Sequence, residues 1–76
     1  MYVSATPRSH LAVVVGANVK RWRAERELTQ EQAAELLGRD VSYISTTERG
    51  LRNFSLSTIE HLAELLGVEP LWLFRE

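Results

Sequence analysis

The sequence predicts an all-α protein, a compact bundle of four to five short helices. Three observations carry that expectation. Apolar residues recur at steps of three and four, and no stretch alternates with the period of two that a half-buried strand needs. Residues that start helices well precede these runs, and glycines close them. The 76 residues are 45% hydrophobic and 25% charged, a globular composition at the length of one domain. So short a chain buries one small core and is marginally stable without a partner.

Residues 1–9, MYVSATPRS, show no period and contain Pro7; they are expected to form a flexible N-terminal arm ahead of a domain over 10–76. The first helix is expected from near Ser9 to about Glu27, with an apolar stripe of Leu11, Val15, Val19 and Trp22. Gly16 weakens that helix and points to a second backbone packed close. The run LAVVVGA is too short to span a bilayer and is followed by NVKRWR in place of a cleavage site, so it is expected to be core helix and not a leader.

The second helix has a clear start. Thr29 is a good N-cap and Gln32, three residues on, completes a capping box. The helix reads QEQAAELL and stops at Gly38, with Ala33, Ala34 and Leu37 as a narrow buried face. A third helix follows almost at once: Asp40 as N-cap, Ile44 toward the core with Val41 or Thr47 nearby, Gly50 at the end. After the loop LRNFS, Ser55 or Ser57 caps a fourth helix with the stripe Leu56, Ile59, Leu62, Ala63 and Leu66, closed by Gly67. Pro70 opens a short fifth helix bearing Leu71, Trp72 and Phe74.

Two short helices joined by a tight glycine turn, AAELLGRD, have the organisation of a helix-turn-helix. The turn leaves the second helix protruding, and a protruding helix fits the major groove of B-DNA. The longer string VKRWRAERELTQEQAAELLGRDVSYISTTERGLRNFSLSTIEHLAELLGVEPLWLF resembles the lambda-repressor and Cro-like (XRE-type) helix-turn-helix family of transcriptional regulators. LTQEQAAELLG, YIS..ERG, SLSTIEHLAELLGV and LWLF carry the resemblance, which covers about residues 11–74. YISTTERGLRNFSL most resembles the controller proteins of restriction–modification systems.

The resemblance implies roles for matching residues. Gln30, at the start of helix 2, matches a glutamine that binds backbone phosphate, as a helix N-terminus favours. Asp40, Val41, Ser42 and Thr46, with Tyr43 and Ser45 beside them, stand where the family reads bases; Ser and Thr suit either base-pair type and Val41 suits a thymine methyl. Arg39 is the one bidentate reader at that end, and it replaces a small or apolar residue of the family, so shape or water-mediated readout is expected to supply part of the specificity. Arg49, Arg52 and Asn53 fall where the family grips phosphate. Arg23 and Glu48 match a structural ion pair between helices 1 and 3; Glu48 is thus expected to be structural and not a catalytic acid. Thr47 departs from a usual apolar residue, which weakens the expected core contact.

The net charge of −1 is unusual for a nucleic-acid binder, but it is polarised. Residues 1–27 carry five Lys and Arg against two Glu, and residues 39–54 three Arg against Asp40 and Glu48. Residues 55–76 set Arg75 against four Glu. An acidic end can face away while a basic face meets DNA. The absence of cysteine excludes a disulfide framework and Cys-based zinc sites, and suits a reducing cytosol. His10 and His61 lie near no carboxylate cluster, and no phosphate-binding glycine loop occurs. No enzyme, cofactor, metal or small-molecule ligand is therefore expected.

VEPLWLF is apolar for a terminal stretch, and the family often dimerises through helices 4 and 5, so Leu71, Trp72 and Phe74 are the expected dimer interface. Two readers on half-sites one turn apart bind far better than one. The expectation is a homodimeric regulator on a pseudo-palindromic double-stranded operator. An antitoxin-like partner of a toxin, and a helix-turn-helix used only for protein interaction, stay open beside it.

Overall fold

The computed structural model describes residues 9–76; the arm expected over residues 1–9 lies, apart from Ser9, outside the described residues. Among the described residues there are four α-helices and no strand: α1 His10–Glu25, α2 Gln30–Leu37, α3 Val41–Glu48 and α4 Leu56–Leu66. A 3₁₀ helix, Pro70–Phe74, follows. None of the helices is long and apolar enough to cross a membrane.

Local chemistry sets the boundaries. The Ser9 hydroxyl accepts from the Ala12 amide and starts α1. Thr29 and Gln32 form the full capping box of α2. Of the two serines offered for α4, Ser55 is the cap, accepting from the Thr58 amide. Asp40 occupies the N-cap position of α3 but makes no side-chain cap bond; its carboxylate accepts instead from the Ser42 hydroxyl at 2.9 Å.

All four α-helices end alike. An amide just past the helix end bonds back to a carbonyl five positions earlier: Leu28 to Arg23, Arg39 to Ala34, Leu51 to Thr46 and Val68 to Ala63. The residue before each of these amides is left-handed. It is glycine in three helices and Glu27, φ 54°, in the fourth. α1 therefore stops at Glu25, two residues short of the expected end.

The core joins Val15, Val19 and Trp22 of α1, Ala33 of α2, Ile59, Leu62, Ala63 and Leu66 of α4, and Leu73. Two residues of the expected apolar stripes are exposed instead. Leu11 is 55% exposed and Leu56 82%, although Ala12 beside Leu11 is buried. Two polar residues are inside. Asn18 is buried and its Nδ2 donates to the carbonyls of Leu73 and Arg75, both at 2.8 Å. Thr47 is buried and its hydroxyl has no protein partner. Trp22 adds a bond from Nε1 to the Leu66 carbonyl, so α1 anchors both α4 and the 3₁₀ helix.

Gly16 is where α1 crosses α3. A Cβ there would collide with the Thr47 carbonyl oxygen and lie 2.9 Å from that of Glu48. The glycine lets the end of α3 rest on the α1 backbone, which sets the angle at which α3 leaves the body.

Candidate nucleic-acid interface

The site is built on α2, the turn Gly38–Arg39–Asp40, and α3. The turn is short because Gly38 takes φ 67° at once after Leu37. Ile44 and Thr47 bury the inner face of α3, leaving Val41 and Ser42 exposed and Ser45 and Thr46 partly exposed on the outside.

Behind α3 sits one polar cluster. Glu48 receives Arg23 Nε at 2.6 Å and Nη2 at 2.9 Å, a bidentate pair, and Gln30 Nε2 at 3.1 Å. Arg23 also donates to the Leu28 carbonyl, which ties the α1–α2 loop to α3. Burial works to raise the Glu48 pKa, but the hydrogen bonds from Arg23 and Gln30, with the charges of Arg23 and Lys20, outweigh it and hold the carboxyl below its ordinary range. The hydrogen bond to Glu48 raises the Arg23 pKa, against the opposing effect of burial. Both groups are charged at neutral pH.

Several expected readers already have intramolecular partners. Thr46 Oγ1 donates to the Ser42 carbonyl at 2.7 Å and the Ser42 hydroxyl donates to Asp40. Tyr43 is half-buried against the core. Arg52 stacks over its ring at 4.3 Å, and Arg39 lies 5.6 Å from the ring centre. Arg52 also reaches Thr46 Oγ1 at 3.4 Å. Thus Arg39, Tyr43, Thr46 and Arg52 form one connected surface, to which spacing alone gave no clue. Arg49 is exposed at the C-cap of α3. Asn53 stands apart, on the rim of an apolar groove of about 220 Å³ that Leu11, Phe54, Leu56 and Phe74 also line. His61, expected on the flank of α4, meets Arg39 at 2.9 Å.

In the C-terminal segment Leu73 is fully buried, Trp72 and Phe74 are half-buried against the core, and Leu71 is 78% exposed. Among the described residues no group of three or more His, Cys, Asp or Glu could hold a metal ion.

A protruding α3 set by a glycine turn on α2, with arginines around it, defines a helix-turn-helix domain. The chain belongs to that family: the helix-turn-helix domain model matches residues 14–71. Over 55 residues it is 44% identical to the uncharacterized HTH-type transcriptional regulator y4dJ of Sinorhizobium fredii (strain NBRC 101917 / NGR234), covering 72% of this chain and 71% of that protein. The crystal structure of the restriction-modification controller protein C.AhdI from Aeromonas hydrophila superposes with a TM-score of 0.67 at 43% identity, over 83% of this chain and 96% of that one. The controller protein C.Esp1396I, solved as a tetramer in complex with its natural 35 base-pair operator, superposes at 0.69 with 33% identity, over 88% of each chain.

Proposed function

We propose that this protein is a DNA-binding transcriptional regulator of the controller type. It binds a pseudo-palindromic operator as a homodimer in the cytoplasm, with α3 in the major groove and no enzymatic step. The observation that carries this reading is the outer face of α3. It is exposed, rich in small hydroxyls, and bounded by Arg39 at one end and by Arg49 and Arg52 at the other. Arginines at both ends suit phosphate positioning on each side of a base-reading segment. Val41, Ser42 and Ser45 supply mild direct contacts, and Asp40 suits a cytosine amino group.

Gln30 supports the same orientation. Its amide has two N–H donors; one holds Glu48, and its place at the first position of α2 suits the other to a phosphate. The exposed Leu71, with Trp72 and Phe74 on the same short helix, is the surface we assign to the second subunit.

Selection of bound fragments from random duplex DNA at two salt concentrations tests the reading. Recovery of an inverted repeat, with binding that weakens steeply as salt rises, is the expected result. If no common sequence emerges, the regulator reading fails and a protein partner, such as a toxin, becomes the ligand to seek.

A further inference from the structure

Arg39 stands one residue before the N-cap of α3, and in this fold its guanidinium is held from behind. Nη2 lies 2.9 Å from Nε2 of His61, which projects from α4. Arginine offers five N–H donors, no acceptor, and keeps its charge throughout the pH range of folded proteins. In this contact Nη2 therefore donates and Nε2 accepts. Only a neutral imidazole with its proton on Nδ1 satisfies that geometry. The other ring edge agrees: Nδ1 faces Glu64 Oε1 at 3.9 Å, one turn along the same helix.

A proton on Nε2 reverses the interaction. The acceptor is lost and two cations stand at hydrogen-bond distance, while Glu64 favours the imidazolium from the far side. The charged groups set against His61 are Arg39 from the α2–α3 turn and Glu64 from α4; Tyr43 of α3 touches Arg39 in turn. Histidine is the side chain whose type changes charge between about pH 5 and 8.

We propose that His61 is a positioning residue for DNA binding. Neutral, it holds the Arg39 guanidinium back against α4 and the Tyr43 ring; protonated, it releases Arg39 to the phosphates and base edges at the leading end of α3. The inference rests on the DNA-binding reading above. It makes operator binding a proton-uptake reaction: one proton from solvent goes to each His61 as Arg39 exchanges an imidazole for DNA. By linkage, lower pH then tightens binding.

The test uses the full chain and the inverted-repeat duplex recovered by selection, labelled for fluorescence anisotropy, at fixed ionic strength from pH 8.0 to 5.5. The protein is expected to bind roughly tenfold more tightly at the low end. Its plot of log affinity against log salt should steepen by about 0.9 for each further phosphate that the released guanidinium neutralises. His61→Gln keeps an acceptor but takes no proton, so it should remain at the weaker level throughout. Arg39→Ala should lose the same pH-dependent increase. His10→Gln, at the start of α1 where His10 pairs with Glu76, should keep the full response. Ring ¹⁵N shifts should show the Nδ1–H tautomer of His61 at pH 8, and Arg39→Ala should erase that preference. Parallel pH profiles for the parent chain and His61→Gln on a duplex that both bind would overturn this inference alone, as would an Nε2–H tautomer. Failure to bind any duplex would overturn it together with the regulator reading.

Discussion

Arg23 grips Glu48 with both arms of its guanidinium, Nε to Oε2 at 2.6 Å and Nη2 to Oε1 at 2.9 Å, across the junction of α1 and α3. The Glu48 side chain is 4% exposed and that of Arg23 17%. Removing either partner strands a largely buried charge, which costs about 3–5 kcal/mol. Arg23→Ala and Glu48→Ala should each lower Tm by tens of degrees, at roughly 4–8 °C per kcal/mol for a domain of this size. The double variant should lose much less than the sum. Thermal melts followed by circular dichroism measure all three, and strict additivity would show that the pair is not coupled.

The same pair sets an acid limit. The folded Glu48 carboxyl titrates below its ordinary value of 4.5, so its contribution is complete above that pH and disappears as pH falls through the lower folded value. The stability advantage over Glu48→Gln should therefore be constant from pH 7 to about 5. It should shrink between there and about pH 3. An advantage undiminished at that acid end would mean that packing, not charge, is what Glu48 supplies.

Gly16→Ala should destabilise despite alanine's better helix propensity. The propensity gain is about 1 kcal/mol. The new Cβ would meet backbone oxygens of Thr47 and Glu48, which no rotamer change can move. Overpacking of this kind costs about 1–3 kcal/mol, and here the backbone obstacle puts it at the upper end or beyond. Because α3 must shift to make room, DNA affinity should fall as well. A variant with unchanged melting and binding would show that the α1–α3 crossing is looser than the geometry implies.

Glu27→Gly should stabilise. Glu27 sits at φ 54° in the position that the other three helices fill with glycine. A side chain there costs about 1–2 kcal/mol, and the extra freedom of unfolded glycine returns about 0.5–1. A net gain of roughly 0.5–1 kcal/mol is expected by urea denaturation. A loss would mean that the Glu27 side chain contributes something beyond its backbone.

On DNA, Arg52→Ala and Ser42→Ala should behave differently. Arg52→Ala should weaken binding to all duplexes alike and flatten the salt dependence by about one phosphate's worth. Ser42→Ala should alter which bases are preferred at one position of each half-site. Arg52 also stacks on Tyr43, so a shift in sequence preference on its removal would show that Tyr43 reads bases from a position Arg52 maintains.

Much of the architecture was legible because it is local. Thr29, Gly38 and Gly67 act within a few residues of themselves, and periodicity sufficed for Val15, Val19, Ile59 and Leu62. Leu11 and Leu56 misled the same logic: period alone cannot say which positions of a stripe a neighbour covers. Gly16 announced a close approach without naming Thr47 and Glu48 as what approaches. Asn18 escaped notice because a polar residue on an apolar helix reads as surface, and its carbonyl partners lie 55 and 57 residues away along the chain.

By itself, then, the sequence determined the all-α class, most helix ends, the glycine turn and the residues offered on α3, all consequences of backbone preference and side-chain period over short spans. Only the tertiary structure decided which offered side chains already have partners. Asp40 binds Ser42 in place of capping, Gln30 joins Glu48, Arg52 covers Tyr43, and Arg39 meets His61 across 22 residues. Hydrogen bonds and ring contacts depend on ångström distances between helices, and those distances exist only once the shared core has fixed where each helix lies.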